Sequence, residues 1–277
     1  MRTAEKYLKP IIRWAKNEES LRALILLGSL ARRGGGDPLS DLDLALFVRD
    51  PVDFLQGEAW WQAFGSVWLI NRETVAPANS LVVFYEDGPE VDFTIYPTAA
   101  LEEMQRNLPD HVEPGYRVLV DKDKLARNLP KPSGKIAPPP PPTPIALQNN
   151  LTTTWFLAYQ CAKALRRGAL WRAKHHDWAL KQNLLTMMGW YARLVLGQED
   201  FTTYQGKDLK SWIDPDSYTG LMTCFGRFYP ADSWRALEET LQLFNRLARA
   251  VAEHLDFPYP EEQAERLRTT IQEMKQP

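Results

Sequence analysis

The chain changes its hydrophobic rhythm near its middle. In the first half, short apolar runs alternate with amphipathic ones. Residues 4–19 (AEKYLKPIIRWAKNEE) place Leu8, Ile11, Ile12 and Trp14 near one helical face, with Pro10 able to reset the helix start. Leu21–Leu27 reads as a buried strand and Asp41–Val48 (DLDLALFV) as a second one. Asp50–Phe64 reads as one helix with Asp50 as N-cap, and Ser66–Arg72 as a third strand. Leu81–Pro97 supplies two strands around Glu86-Asp87-Gly88, where Asp-Gly is a hairpin signal. This mixture predicts an α/β (α+β) domain with a central mixed sheet.

In the second half, residues 149–168, 176–197 and 233–255 carry apolar residues at i, i+3, i+4 and i+7, which predicts a helical bundle. Gly168 and Gly197 sit where helices should end. Between the halves lies Ile136–Pro144 (IAPPPPPTP), which predicts an extended polyproline connector, most simply a spacer. The expected organisation is a catalytic domain at 1–135, a Pro-rich linker at 136–144 and a helical domain at 145–277.

Composition narrows the class. A hydrophobic content of 44% with 25% charged residues is that of a folded soluble protein. No apolar run has the length of a membrane span, and the N-terminus shows no signal-peptide pattern. Two cysteines, Cys161 and Cys224, make no disulfide framework, so the cytoplasm is the expected location. A net charge of −2 argues against a grip on long nucleic acid, which calls for a basic surplus.

The candidate chemistry lies in Leu26–Val48. Along a strand, alternate side chains share a face, so Asp41 and Asp43 project together while Leu42, Leu44 and Leu46 face the core. Neighbouring carboxylates resist ionising together unless a cation sits between them, and magnesium suits carboxylate oxygens combined with waters and phosphates. Gly28-Ser29 ends the preceding strand, where a missing side chain lets a phosphate approach the backbone and a hydroxyl can donate to it. Asp92 lies between Val91 and Phe93, a costly place for an acid without a task. Ser40 is a further phosphate donor, and Arg32 and Arg33 are basic groups on the intervening loop. His175, His176 and Asp177 occupy adjacent helical positions that point in different directions, which does not make a metal-ligand pair.

Gly-Ser, a spacer, Asp-x-Asp between apolar residues and a later strand aspartate resemble the polymerase-β-like nucleotidyltransferase superfamily. Further segments resemble one of its families, the aminoglycoside 6-adenylyltransferases (streptomycin adenylyltransferases). These are Asn128–Pro132, Trp155-Phe156, Ala162-Lys163, Arg167-Gly168, Leu184–Trp190, Gly206–Lys210 and Phe257–Pro260. The likeness runs from about Thr3 to Pro260, with Ala169 where the family commonly has an acid and with a longer proline run.

The resemblance implies transfer of AMP from ATP to a hydroxyl of a small cationic acceptor such as streptomycin. It also implies two magnesium ions held by Asp41, Asp43 and Asp92, with Asp92 ligating the second ion, taking the hydroxyl proton, or both. Gly28, Ser29 and Ser40 would then contact the nucleotide, and Lys207 and Lys210 its phosphates from the helical half. Two readings share the same core: a different acceptor (another antibiotic, a protein or tRNA), and a non-catalytic nucleotide-binding regulator.

Overall fold

The computed structural model describes residues 3–32, 35–56, 59–75, 78–88 and 90–276. These residues form two compact units, Met1–Ile136 and Ala137–Pro277.

The first unit is built on a six-stranded mixed sheet in the order β3-β4-β5-β2-β1-β6. Helix α1 (Thr3–Asn17) leads into β1 (Leu21–Leu26), followed by the single turn α2 (Gly28–Ala31) and β2 (Leu42–Val48). A short helix α3 (Pro51–Gln56) precedes β3 (Val67–Val75), β4 (Ala78–Tyr85) and β5 (Glu90–Pro97). Helix α4 (Ala99–Arg106) and the edge strand β6 (Arg117–Asp121) complete the unit. Pairings are antiparallel except that between β2 and β5, which run parallel in the middle of the sheet.

Period-two alternation gives the sheet two buried faces of different character. One carries Leu24, Leu26, Leu42, Leu44, Leu46, Val91, Phe93 and Ile95, all packed with Tyr7, Ile11 and Ala15 of α1. The other carries Ala23, Ile25, Leu27, Ala45 and Phe47 against Leu101 and Met104 of α4. At roughly 25 cal/mol per Å2 of apolar surface, each large side chain buried this way contributes about 1.5–3 kcal/mol.

Two sequence expectations change here. Asp50 caps α3, its Oδ1 accepting from the Val52 N–H at 2.8 Å and the Asp53 N–H at 3.1 Å. The single helix expected over Asp50–Phe64 is, however, two pieces: α3 and a 3-10 segment at Trp60–Phe64. Gly57 and Glu58 between them lie outside the described residues. Aromatic packing accounts for the second piece. The Trp60 ring stacks on Trp14 at 4.8 Å and meets Phe93 edge-on at 4.9 Å, which a straight continuation of α3 would not arrange. The two strands around Asp87-Gly88 pair antiparallel as expected, and Gly88 also serves space, because a Cβ there would come within 2.2 Å of the Tyr7 ring. That ring stacks on Tyr85 at 4.7 Å. Finally, α4 and β6 are additional elements: β6 is short, and its exposed Arg117 blurs the apolar alternation.

The second unit is helical: α5 (Pro144–Arg166), α6 (Leu170–Leu194), α7 (Leu209–Trp212), α8 (Pro215–Thr223), α9 (Pro230–His254) and α10 (Glu261–Lys275). Thr143 caps α5 by accepting from the Ala146 N–H, with Pro144 at the first helical position. Gly168 and Gly197 take left-handed φ values of 69° just beyond α5 and α6. The proline run is seated on its own unit, since the Arg193 guanidinium donates to the Pro139 carbonyl at 2.7 Å and to Pro138 at 3.2 Å. No helix among the described residues is long and apolar enough to cross a membrane.

Candidate active site

The parallel pairing of β2 with β5 sets Leu42 beside Val91, Asp43 beside Asp92 and Leu44 beside Phe93. With neighbouring strands about 4.8 Å apart, the two carboxylates leave the same face at adjacent positions. Both are half-buried, while Leu42, Val91, Leu44 and Phe93 on the opposite face are 1% exposed or less. Asp41 is exposed and precedes the first paired residue, Leu42, so it stands at the mouth of the strand and not within it.

A fourth carboxylate joins them. Glu90 opens β5 two positions before Asp92, and strand alternation gives the two a common face. Burial first, then the like charges of Asp41, Asp92 and Asp43, hold the Glu90 carboxyl above its ordinary value. Sequence reasoning passed over Glu90, although the alternation Glu90-Val91-Asp92 was its signal.

Asp92 is oriented by its neighbours. The Ser80 hydroxyl on β4 donates to its Oδ1 at 2.6 Å and the Thr94 hydroxyl to the same oxygen at 3.4 Å. Asp43 is tied to the end of β1, because the Leu27 N–H donates to the Asp43 carbonyl at 2.9 Å. The next residue, Gly28, has φ +66°, and a Cβ there would fall 1.7 Å from Asp43 Oδ2. The turn therefore rests directly against a carboxylate, and only a residue without a side chain fits in both conformation and space.

The remaining sequence candidates are placed as follows. Ser29 lies within the turn α2. Ser40 accepts from the Asp37 N–H at 2.7 Å, and its hydroxyl donates to Asp37 Oδ1 at 3.1 Å. That hydrogen is thus engaged in shaping the loop before β2. The Arg32 Nε is buried without a hydrogen-bond partner, and Arg33 lies outside the described residues.

In the helical unit, Lys207 and Lys210 are both exposed. Lys207 lies within, and Lys210 follows, a sharp turn in which Gln205, Gly206 and Asp208 all have positive φ. The Lys207 carbonyl accepts from the Trp212 indole at 2.9 Å, and the Lys210 ammonium lies 5.8 Å over the Tyr218 ring. Asp177 of the His-His-Asp run is engaged by Lys181 at 2.6 Å, and Lys181, 5% exposed, also donates to the Thr240 hydroxyl at 2.8 Å. A largely buried structural ion pair thus accounts for Asp177.

The chemistry of the donor set suits a divalent cation. Carboxylate oxygens sit side by side where like charges need neutralising, and a backbone turn without a side chain lies against one of them. Among the described residues no three His, Cys, Asp or Glu side chains form a ready ligand cage.

Paired strand carboxylates with a bare glycine turn beside them, on a mixed sheet followed by a helical unit, define a nucleotidyltransferase. The chain belongs to the streptomycin adenylyltransferase family, whose model matches residues 1–274. It is 25% identical over 274 residues to the aminoglycoside 6-adenylyltransferase of Bacillus subtilis (strain 168), covering 94% of each chain. To the aminoglycoside 6-adenylyltransferase of Campylobacter jejuni it is 22% identical over 279 residues, covering 94% of this chain and 92% of that one. Among solved structures, an aminoglycoside 6-adenyltransferase from Bacillus subtilis aligns over 99% of both chains with a TM-score of 0.48 and 21% identity.

Proposed function

We propose that this protein transfers the adenylyl group of ATP to a hydroxyl of an aminoglycoside such as streptomycin, in the cytoplasm and with magnesium as the metal. The observation that carries the reading is the in-register pair Asp43 and Asp92 with Gly28 against Asp43. The acceptor hydroxyl oxygen bonds to the α-phosphorus of ATP, the bond from that phosphorus to the bridging oxygen breaks, and pyrophosphate leaves.

In this reading Asp41 and Asp43 hold the metal-bound triphosphate. Gly28 lets the turn close against the Asp43 carboxylate, and Gly28, Ser29 and Arg32 supply donors to a phosphate there. Asp92, steadied by Ser80 and Thr94, would receive the hydroxyl proton, bind the second ion, or both. Magnesium, when bound, neutralises phosphate charge and makes the acceptor hydroxyl more acidic. Residues 1–135 carry the chemistry, and Lys207 and Lys210 are assigned to phosphate charge. The relatives' printed names support the aminoglycoside as acceptor.

The test is direct: purified protein, ATP, magnesium chloride and streptomycin, followed by pyrophosphate release and by the mass of the acceptor. Gain of one adenylyl group on streptomycin is the expected result. Pyrophosphate release with a different acceptor would keep the chemistry and replace the substrate. No transfer to any acceptor, with ATP still bound, would make the protein a nucleotide-binding regulator.

A further inference from the structure

The parallel register that sets Asp43 beside Asp92 brings a second pair of acids together. Asp41 and Glu90 each stand one residue before the rung Leu42–Val91, at the opening ends of β2 and β5. The carboxylates therefore fall into two rows, an inner one of Asp43 and Asp92 and an outer one of Asp41 and Glu90. Neighbouring strands lie about 4.8 Å apart, and positions two apart along a strand about 7 Å.

Glu90 and Asp92 differ in their surroundings. Asp92 accepts from the Ser80 and Thr94 hydroxyls. Glu90 is half-buried and pairs on β4 with Phe84, whose side chain offers no hydrogen bond. Among the described residues no lysine, arginine or histidine makes an ion pair with Glu90. Of the like charges that act on it, that of Asp41 is the largest. A half-buried acid between an aromatic ring and a second acid is costly unless positive charge arrives. Because no three acids among the described residues form a ready cage, Glu90 reaches an ion by charge, across the waters that magnesium retains.

We infer that Glu90 is a further residue of the metal site: with Asp41 it strengthens binding of the ion that accompanies the triphosphate, and it repels a triphosphate that comes without one. The inference rests on the metal–nucleotide reading above and deepens it. One negative charge acts with opposite sign on cation and nucleotide, so Glu90 makes nucleotide binding depend on the metal.

Glu90→Gln removes the charge and keeps the shape. Manganese alone, with free ion followed by electron paramagnetic resonance, should bind this variant about fivefold more weakly than the wild type. ATP in the presence of EDTA, followed by equilibrium dialysis, should bind it about twofold or more tightly. Glu90→Asp keeps the charge and should retain most of the manganese affinity. A loss of packing would weaken both ligands together, so the opposite movements separate charge from structure. Equal manganese binding by Glu90→Gln and wild type overturns the role of Glu90, as does a Glu90→Asp protein as weak as Glu90→Gln. Metal-free ATP binding that stays level or weakens overturns the coupling. A rise in KM for streptomycin with manganese binding unchanged also overturns the inference and gives the carboxylate to the cationic acceptor. A wild-type chain that binds manganese only with ATP present overturns the inference alone. No manganese binding even with ATP overturns the metal–nucleotide reading, and the inference with it.

Discussion

The two faces of strands β2 and β5 are built from alternate residues of the same two segments, yet they do opposite things. Leu42, Leu44, Leu46, Val91, Phe93 and Ile95 are sealed into one core, none more than 1% exposed. On the other face Asp43, Asp92, Thr94 and Tyr96 are half-buried, while Ala45 and Phe47 beside them are closed over by α4. The apolar face fixes register, because a slip of one residue would exchange the two sets. Register in turn is what sets Asp43 beside Asp92. The cost of adjacent like charges is therefore met by burial on the reverse side of the same strands.

That division can be broken one face at a time. The largest effect is expected on the polar face: Asp43→Asn should reduce magnesium-dependent pyrophosphate release by about 10³-fold or more while leaving the melting temperature near wild type, because a repulsive pair is relieved. Stopped-flow or coupled pyrophosphate assays, beside thermal melts, read both quantities. Phe93→Ala, one residue from Asp92 but facing the core, should do the reverse. It should cost about 3–5 kcal/mol of stability in urea unfolding, while the fraction that remains folded still binds ATP–magnesium. If Phe93→Ala left stability intact, or Asp43→Asn unfolded the chain, the two faces would not be separable.

Much of this was legible in the sequence, for a physical reason. Period-two alternation is enforced by the strand itself, so acids at alternate positions between leucines already declare their common face. Gly28-Ser29 was legible as a turn, but the reason for its glycine, Asp43 Oδ2 lying where a Cβ would be, depends on how β1 meets β2. The features that escaped depend on contacts between distant segments. Trp60 leaves the expected helix to reach Trp14 and Phe93. Lys181 looks like any surface lysine until α9 brings Thr240 to it. Ser40 differs from these, because the group that engages its hydroxyl is local, Asp37 three residues earlier.

The central claim is that the carboxylate-bearing end of β2 and β5 is a metal–nucleotide site, and equilibrium binding of manganese tests it most directly, with free ion followed by electron paramagnetic resonance in the presence of ATP. The wild-type chain should bind manganese together with ATP, and Asp43→Asn should weaken that binding by about tenfold or more. Equal manganese binding by the two proteins would contradict the account.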